Sequence, residues 1–104
     1  MTPITILAPV KLAPGKTEAD LLAASTKFQQ DFVAHEPGVL RRELVRTPDG
    51  TYLDIVQFRS EADVADVMEK EMKSPVCAEF FSIMDLSDFD PEAPMDMYVS
   101  LQTH

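Results

Sequence analysis

The residues of this sequence that are able to carry acid–base or nucleophilic chemistry are few. Its histidines are His35 and His104, and its single cysteine is Cys77. His35 falls at the expected end of a helix, where the helix dipole favours a surface imidazole, and His104 ends the chain. Cys77 lies among apolar residues, where burial raises a thiol pKa and so suppresses the thiolate. We therefore expect none of the three to be catalytic.

Acidic residues alternate at Asp85, Asp88, Asp90 and Glu92, a spacing similar to that of a calcium loop. The glycine that such a loop needs for its sharp turn is missing. A solvated acidic loop is the prediction. With one cysteine, a Cys-rich zinc site is excluded, and we expect neither a metal nor an organic cofactor.

Two adjacent arginines beside a predicted hairpin are stronger candidates. If the hairpin turn has two residues, Arg41 lies on the same sheet face as Asp54 and Phe58. If the turn has three residues, Arg42 lies there instead, because shifting the register by one residue moves each side chain to the opposite face of the sheet. The sequence leaves this register open. Either planar guanidinium could orient a phenolate or carboxylate, although an exposed or rim salt bridge is the plainer interpretation. Asp54 is likewise expected at a rim.

The first half of the chain predicts a strand followed by a helix. Ile4 to Leu12 is apolar on both faces, and Pro9 weakens it slightly because proline cannot donate to a ladder. Thr17 is a predicted N-cap, and the helix should end near His35, before Pro37-Gly38.

The second half predicts a hairpin, a broken helix and a last strand. Val39 to Arg46 and Tyr52 to Phe58 flank Pro48-Asp49-Gly50, in which Asp-Gly is a type I′ signal. Ser60 caps a helix with an apolar stripe of Val64, Met68 and Met72. Ser74 caps a further segment with Pro75 at its first position, and Met95 to Leu101 closes the chain as a strand.

This order predicts one domain over residues 1–104, an α+β ferredoxin-like βαββαβ fold with a four-stranded antiparallel sheet. Its helices can cover only one face of the sheet, yet two strands are apolar on both sides. We therefore expect a homodimer through the open sheet face, which makes a dimeric α+β barrel.

The composition argues against some classes of binding partner. The net charge of −9 argues against nucleic acid and anionic membranes. No secretory signal and no run of 18 apolar residues is visible, so a cytoplasmic protein is expected.

A small apolar or aromatic ligand is expected between sheet and helices, and Tyr98 is a possible donor to it. The lining is predicted to be Ala8, Phe28, Phe32, Val56, Phe58, Met68, Met72, Phe80, Phe81 and Met84.

The sequence resembles the dimeric α+β barrel superfamily, and within it the antibiotic-biosynthesis-monooxygenase-like (ABM) domains. The resemblance rests on Ala13-Pro14-Gly15-Lys16 after the first strand, Glu36-Pro37-Gly38-Val39 before the second, Gln57-Phe58-Arg59-Ser60-Glu61 after the third, and the paired Phe80-Phe81. It implies a cofactor-independent monooxygenase acting on a small aromatic or apolar molecule. The alternative is a non-catalytic ligand-binding or stress-response protein.

The departures from that family also matter. Its haem-degrading members use an Asn, a Trp and a His where this chain has Ala8, Phe58 and Met68, and this chain contains neither Asn nor Trp. Haem degradation is therefore not expected. Phe58 keeps an aromatic platform without an indole N–H, so the sequence names no catalytic residue.

Overall fold

The computed structural model describes residues 2–87 and 96–104, so Asp88, Asp90 and Glu92 of the predicted acidic loop and Met95 lie outside the described residues. In chain order the elements are β1 (Ile4–Val10), α1 (Glu18–Asp31), a 3₁₀ turn (Val33–His35), β2 (Val39–Arg46), β3 (Tyr52–Phe58), α2 (Glu61–Lys73), α3 (Pro75–Phe81) and β4 (Asp96–Val99). The strands form an antiparallel sheet in the order β2-β3-β1-β4. The expected ferredoxin-like α+β fold is thereby confirmed.

The helices begin where the sequence predicts. The Thr17 side chain accepts from the Asp20 N–H at 3.2 Å, and the Asp20 carboxylate accepts from the Thr17 N–H at 2.9 Å, which completes a capping box. Ser60 caps α2, and Ser74 caps α3 with Pro75 at its first turn. No helix in the described segments is long and apolar enough to cross a membrane.

The hydrophobic core lies between one face of the sheet and the helices. Alternate residues of β1 point to the helices, as their period of two requires. None of the helices in the described part of the chain covers the other face of the sheet. The buried apolar residues of the core are Ile4, Ile6, Val10, Leu21, Phe28, Phe32, Val33, Phe58, Val64, Val67, Cys77 and Phe80.

Pro9 is accommodated at the end of a central strand. β1 pairs with β3 along its whole length, but β4 pairs only with Ile4 to Leu7. Pro9 therefore lies beyond the part of β1 that has strands on both sides. Because β4 does not reach Pro9, its missing N–H removes no hydrogen bond to β4.

The β2–β3 hairpin settles the register that the sequence left open. Thr47 and Thr51 close the turn through a 2.8 Å backbone hydrogen bond, which leaves three residues between them, and within the turn only Gly50 adopts a positive φ, +86°. The type I′ expectation is therefore wrong, because it needs positive φ at two residues. Arg42 lies opposite Val56, on the helix face, and Arg41 lies opposite Gln57.

The predicted apolar stripe of α2 (Val64, Met68 and Met72) is wrong at Met72. Val64 and Val67 are buried, whereas Met72 is 88 % exposed and does not line the interior of the protomer. The reason is that α2 turns its Val64–Val67–Glu71 side inward, and Met72 is rotated about 100° from Glu71 in a helix of 3.6 residues per turn.

Gly50 provides a test of the turn. We expect Gly50→Ala to lower the free energy of unfolding by about 1–2 kcal/mol, because an L-residue with a Cβ is strained at positive φ. Gly50→Asn should lose less, since asparagine tolerates this conformation. Chemical denaturation of both variants measures the difference, and equal, negligible losses would contradict the observed turn.

Candidate functional site

A buried ion pair joins β2 and β3 beneath the helices. The Arg42 Nε donates to Asp54 Oδ2 at 3.1 Å, and Arg42 Nη2 lies 3.0 Å from the same oxygen. The side chains of Arg42 and Asp54 are only 6 % and 9 % exposed. The rim position expected for this pair is therefore wrong, because the three-residue turn places both residues on the covered face.

Aromatic rings from two helices pack against this guanidinium. The Arg42 Cζ lies 5.0 Å from the ring centroid of Phe28 in α1 and 5.4 Å from that of Phe80 in α3. The two rings are themselves stacked, with centroids 4.4 Å apart. Cation–π contacts of a desolvated guanidinium contribute about 2 kcal/mol, which offsets part of the cost of burying the charge.

Two buried polar atoms of the pair lack a hydrogen-bond partner among the described residues. They are Asp54 Oδ1, an acceptor, and Arg42 Nη2, a donor whose ion-pair contact with Asp54 Oδ2 lacks the geometry of a hydrogen bond. Such an unmade hydrogen bond costs about 1–3 kcal/mol, more where the group is charged.

Glu71 brings a second carboxyl group to this charged cluster from α2. Burial raises its pKa to about 7, with a further rise from the charges of Asp54 and Glu36 that the Arg42 charge opposes. Burial also raises the pKa of Asp54, and Arg42 offsets part of that rise. A carboxyl group with a pKa near neutrality can both take up and release a proton at physiological pH.

The sequence analysis missed Glu71, although a signal was present. Glu71 follows Val64 and Val67 at helical spacing, so it continues the buried face of α2. A carboxylate on an apolar stripe is unusual unless it is paired or functional. Glu36, whose side chain is 10 % exposed and pairs with Lys70 at 3.0 Å, was missed as well.

The predicted lining residues divide into those near the ion pair and those elsewhere. Ala8 lies directly opposite Asp54 across the β1–β3 ladder, and Val56 lies opposite Arg42. Phe58 is buried in the same face at its far end. Phe32, Met68, Phe81 and Met84 belong to the surrounding core or pack against it.

Two predicted polar groups lie on the other face. Arg41 is exposed and pairs with Glu43 at 3.1 Å. Tyr98 is 53 % exposed and lies opposite Thr5, whose side chain points away from the helices. Neither shares a site with Arg42, because Arg41 is its immediate neighbour on β2 and Tyr98 pairs with Thr5 of the open face.

Cys77 and His35 lie where the sequence analysis places them. Cys77 is fully buried, and burial raises the pKa of its thiol. His35 is exposed at the end of the 3₁₀ turn. Within residues 2–87 and 96–104, no group of three or more His, Cys, Asp or Glu side chains could hold a metal ion.

Two cavities flank the sheet. One, of about 230 Å³, lies between α1 and the end of the β2–β3 hairpin, and is lined by Glu18, Leu21, Leu22, Leu44, Val45, Arg46 and Tyr52. The other, of about 240 Å³, lies on the open face and is lined by Thr5, Arg41, Ile55, Gln57, Ser100, Gln102 and Thr103.

Solved structures with this fold confirm the resemblance to ABM-like proteins. SnoaB, a cofactor-independent oxygenase from Streptomyces nogalater, aligns over 99 % of this chain and 97 % of its own, with a TM-score of 0.71 and 14 % identity. A protein from Bordetella bronchiseptica, named as an antibiotic biosynthesis monooxygenase, aligns over 100 % of both chains, with a TM-score of 0.69 and 15 % identity. A similarly named protein from Nitrosomonas europaea has a TM-score of 0.64 at 18 % identity, over 96 % of this chain and 90 % of its own.

At such identities the likeness defines a class of fold, and the site must be argued from this chain's own residues. No protein-family model and no curated protein matches the sequence. The chain has the ABM-like ferredoxin fold, with a buried Arg42–Asp54 pair and Glu71 on its helix side.

The raised pKa of Glu71 gives a pH-dependent stability. The pKa of Glu71 is about 7 in the folded chain, against an ordinary 4.5. The folded chain therefore holds the proton more tightly than the unfolded chain, which adds to the free energy of unfolding below pH 4.5. This added stability is lost as the pH rises from 4.5 through 7. We expect Glu71→Gln to raise the free energy of unfolding at pH 8 by up to about 3 kcal/mol, and by little at pH 4.5.

Urea denaturation at the two pH values measures this effect. Glu69→Gln on the same helix is the matched control, because Glu69 is exposed and its pair with Lys73 is weak. The same change in stability for Glu71→Gln at both pH values would contradict the assignment.

Proposed function

We propose that this chain binds a small aromatic or apolar molecule between its sheet and helices and oxidises it with dioxygen, without a metal or organic cofactor. The observation that carries the proposal is the Arg42 guanidinium, which is buried against Phe28 and Phe80 on the covered face. A cation beside aromatic surface favours the anion of a phenol over the phenol itself. The shared fold with a cofactor-independent oxygenase supports the same reaction class.

The chemistry balances for a phenol that carries a ring C–H. The hydroxyl proton passes to a carboxylate, for which Glu71 is suited because its pKa is about 7. Arg42 stabilises the resulting phenolate, which is electron-rich enough to reduce dioxygen. One oxygen atom replaces the ring hydrogen as a carbonyl and the other leaves as water with both hydrogens. The substrate loses four electrons, dioxygen gains four, and Glu71 regains its starting state.

Oxygen uptake tests the reaction. With a panel of phenols and dihydroxyarenes in air, we expect uptake above the protein-free rate for at least one compound. Arg42→Met should reduce this uptake about 10- to 100-fold, since a charged hydrogen bond contributes about 1.5–3 kcal/mol. Arg41→Met is the matched control on the opposite face and should retain it.

A double variant separates loss of activity from loss of folding. Arg42→Met leaves Asp54 charged and unpaired, which destabilises the chain, whereas Arg42→Met with Asp54→Leu removes the buried pair as a unit and is expected to fold. That double variant should be folded and inactive. Ligand binding by the natural chain without oxygen uptake from any compound would favour the non-catalytic binding protein instead.

We also propose that two copies pair through the open sheet face. The surface of this face includes Leu7, Val45, Leu53 and Ile55, all only partly buried within the protomer. Pairing would remove this apolar surface from water at about 25 cal/mol per Å².

Sedimentation equilibrium tests the dimer. We expect the natural chain to be dimeric at micromolar concentration and Ile55→Lys to be monomeric, because a lysine would be desolvated in the interface. Met72→Lys, at an exposed position on α2, should leave the dimer intact. A monomeric natural chain would contradict the proposal.

A further inference from the structure

The guanidinium of Arg42, on which the proposed function depends, is closed off from solvent. The Arg42 side chain is 6 % exposed, and neither of the two cavities described above is lined by Arg42 or Asp54. The rings of Phe28 and Phe80 cover the guanidinium, with centroids 5.0 Å and 5.4 Å from Cζ. A small molecule can therefore contact this group only after a covering side chain has moved.

Phe28 belongs to a helix that is fastened at both ends. The capping box fixes the start of α1, where Glu18 also accepts hydrogen bonds from Arg46 Nη1 at 2.9 Å and from the Tyr52 hydroxyl at 3.2 Å. At its other end, α1 leads into the 3₁₀ turn that precedes β2. Moving Phe28 away from Arg42 would disrupt these attachments to the hairpin.

Phe80 belongs to α3, a helix of seven residues that is fastened less firmly. Among the described residues, no backbone hydrogen bond joins Pro75–Phe81 to another helix or strand. An ion pair ties α3 to α1, between Lys27 Nζ and Glu79 Oε2 at 2.8 Å, but both side chains are exposed and such pairs contribute little. The packing of its buried side chains, Cys77 and Phe80, is therefore the main attachment of α3.

The two ends of α3 favour a hinge motion. Ser74, the residue between α2 and α3, has an extended backbone (φ −95°, ψ 125°), because a following proline disfavours the helical region. Pro75 also lacks an N–H and cannot continue the hydrogen bonds of α2. Beyond α3, the Ala13 N–H donates to the Ile83 carbonyl at 3.0 Å, which anchors the chain beside the end of β1. α3 thus lies between a joint and an anchor.

From this arrangement we infer that α3 is a lid, which swings about Ser74, lifts Phe80 from Arg42 and admits an aromatic molecule to the guanidinium. The inference rests on the proposed function, because it supplies the route by which a substrate reaches Arg42. Cys77, fully buried in the closed lid, becomes exposed in the open one. Local openings of this kind require less free energy than global unfolding.

The single cysteine of the chain reports the opening of the lid. The probe is 5,5′-dithiobis(2-nitrobenzoate), which labels Cys77 of the natural chain in its open form. We expect the free energy of opening, obtained from the labelling rate, to fall with urea at less than half the slope of global unfolding, because a lid exposes only a small part of the surface. A slope equal to that of global unfolding, measured by circular dichroism, would overturn the inference.

Arginine modification tests whether the lid uncovers Arg42. Phenylglyoxal, an aromatic reagent for guanidinium groups, should modify Arg41 rapidly, since its side chain is 59 % exposed, and Arg42 only when the lid opens. Peptide mass spectrometry gives both rates from one sample. We expect Arg42 and Cys77 to show the same dependence on urea. If Cys77 reacts by local opening but Arg42 only on global unfolding, α3 moves without uncovering Arg42 and is not a lid.

A charge reversal on the lid provides matched variants. Glu79→Lys replaces the attraction to Lys27 by repulsion and should speed the labelling of Cys77 and Arg42 about three- to tenfold. Glu69→Lys makes the same change of charge at an exposed position on α2, beside Lys73, and should leave both rates unchanged. Equal acceleration by the two variants, or none from Glu79→Lys, would contradict the lid.

These measurements need no substrate, so the two proposals can fail separately. Local opening of α3 without oxygen uptake from any phenol would count against the proposed function alone, because Arg42 is then reached and no reaction follows. Oxygen uptake by a chain in which Cys77 and Arg42 react only on global unfolding would count against the lid alone.

Discussion

The buried ion pair between Arg42 and Asp54 is the constraint on which the helix side of this molecule depends. Removing two charges from water costs several kcal/mol per ion, and here one hydrogen bond and the faces of two rings recover part of it. Two apolar residues of similar volume would serve stability at least as well. The pair is therefore better explained by the chemistry of a site than by the needs of the fold.

The position of this pair is set by the hairpin, not by the helices. A three-residue turn ending in Gly50 brings Arg42 opposite Val56, and a register shift between Val39 and Arg41 takes up one extra residue farther along β2. Lengthening or shortening the turn by one residue would turn Arg41 inward instead. The charge at the centre of the site is thus controlled by a few residues at the surface.

Sequence patterns predicted the elements well and the site only in part. The caps at Thr17, Ser60 and Ser74 are local hydrogen-bonding signals, which is why the helix starts were confirmed. The hairpin register was undetermined because Pro-Asp-Gly is compatible with turns of two lengths. The sequence analysis did not predict that Glu71 faces inward. Glu71 continues the buried Val64–Val67 side of α2, so its position on the helix overrides the usual preference of a carboxylate for solvent.

The fold and the chemistry of this chain come from separate parts of its sequence. Structures sharing only 14–18 % identity have the same arrangement of strands and helices, so the backbone tolerates almost any side chains that keep the apolar pattern. Nothing in that pattern requires a charged residue at position 42, 54 or 71. Arg42, Asp54 and Glu71 are therefore charged residues that the fold itself does not require.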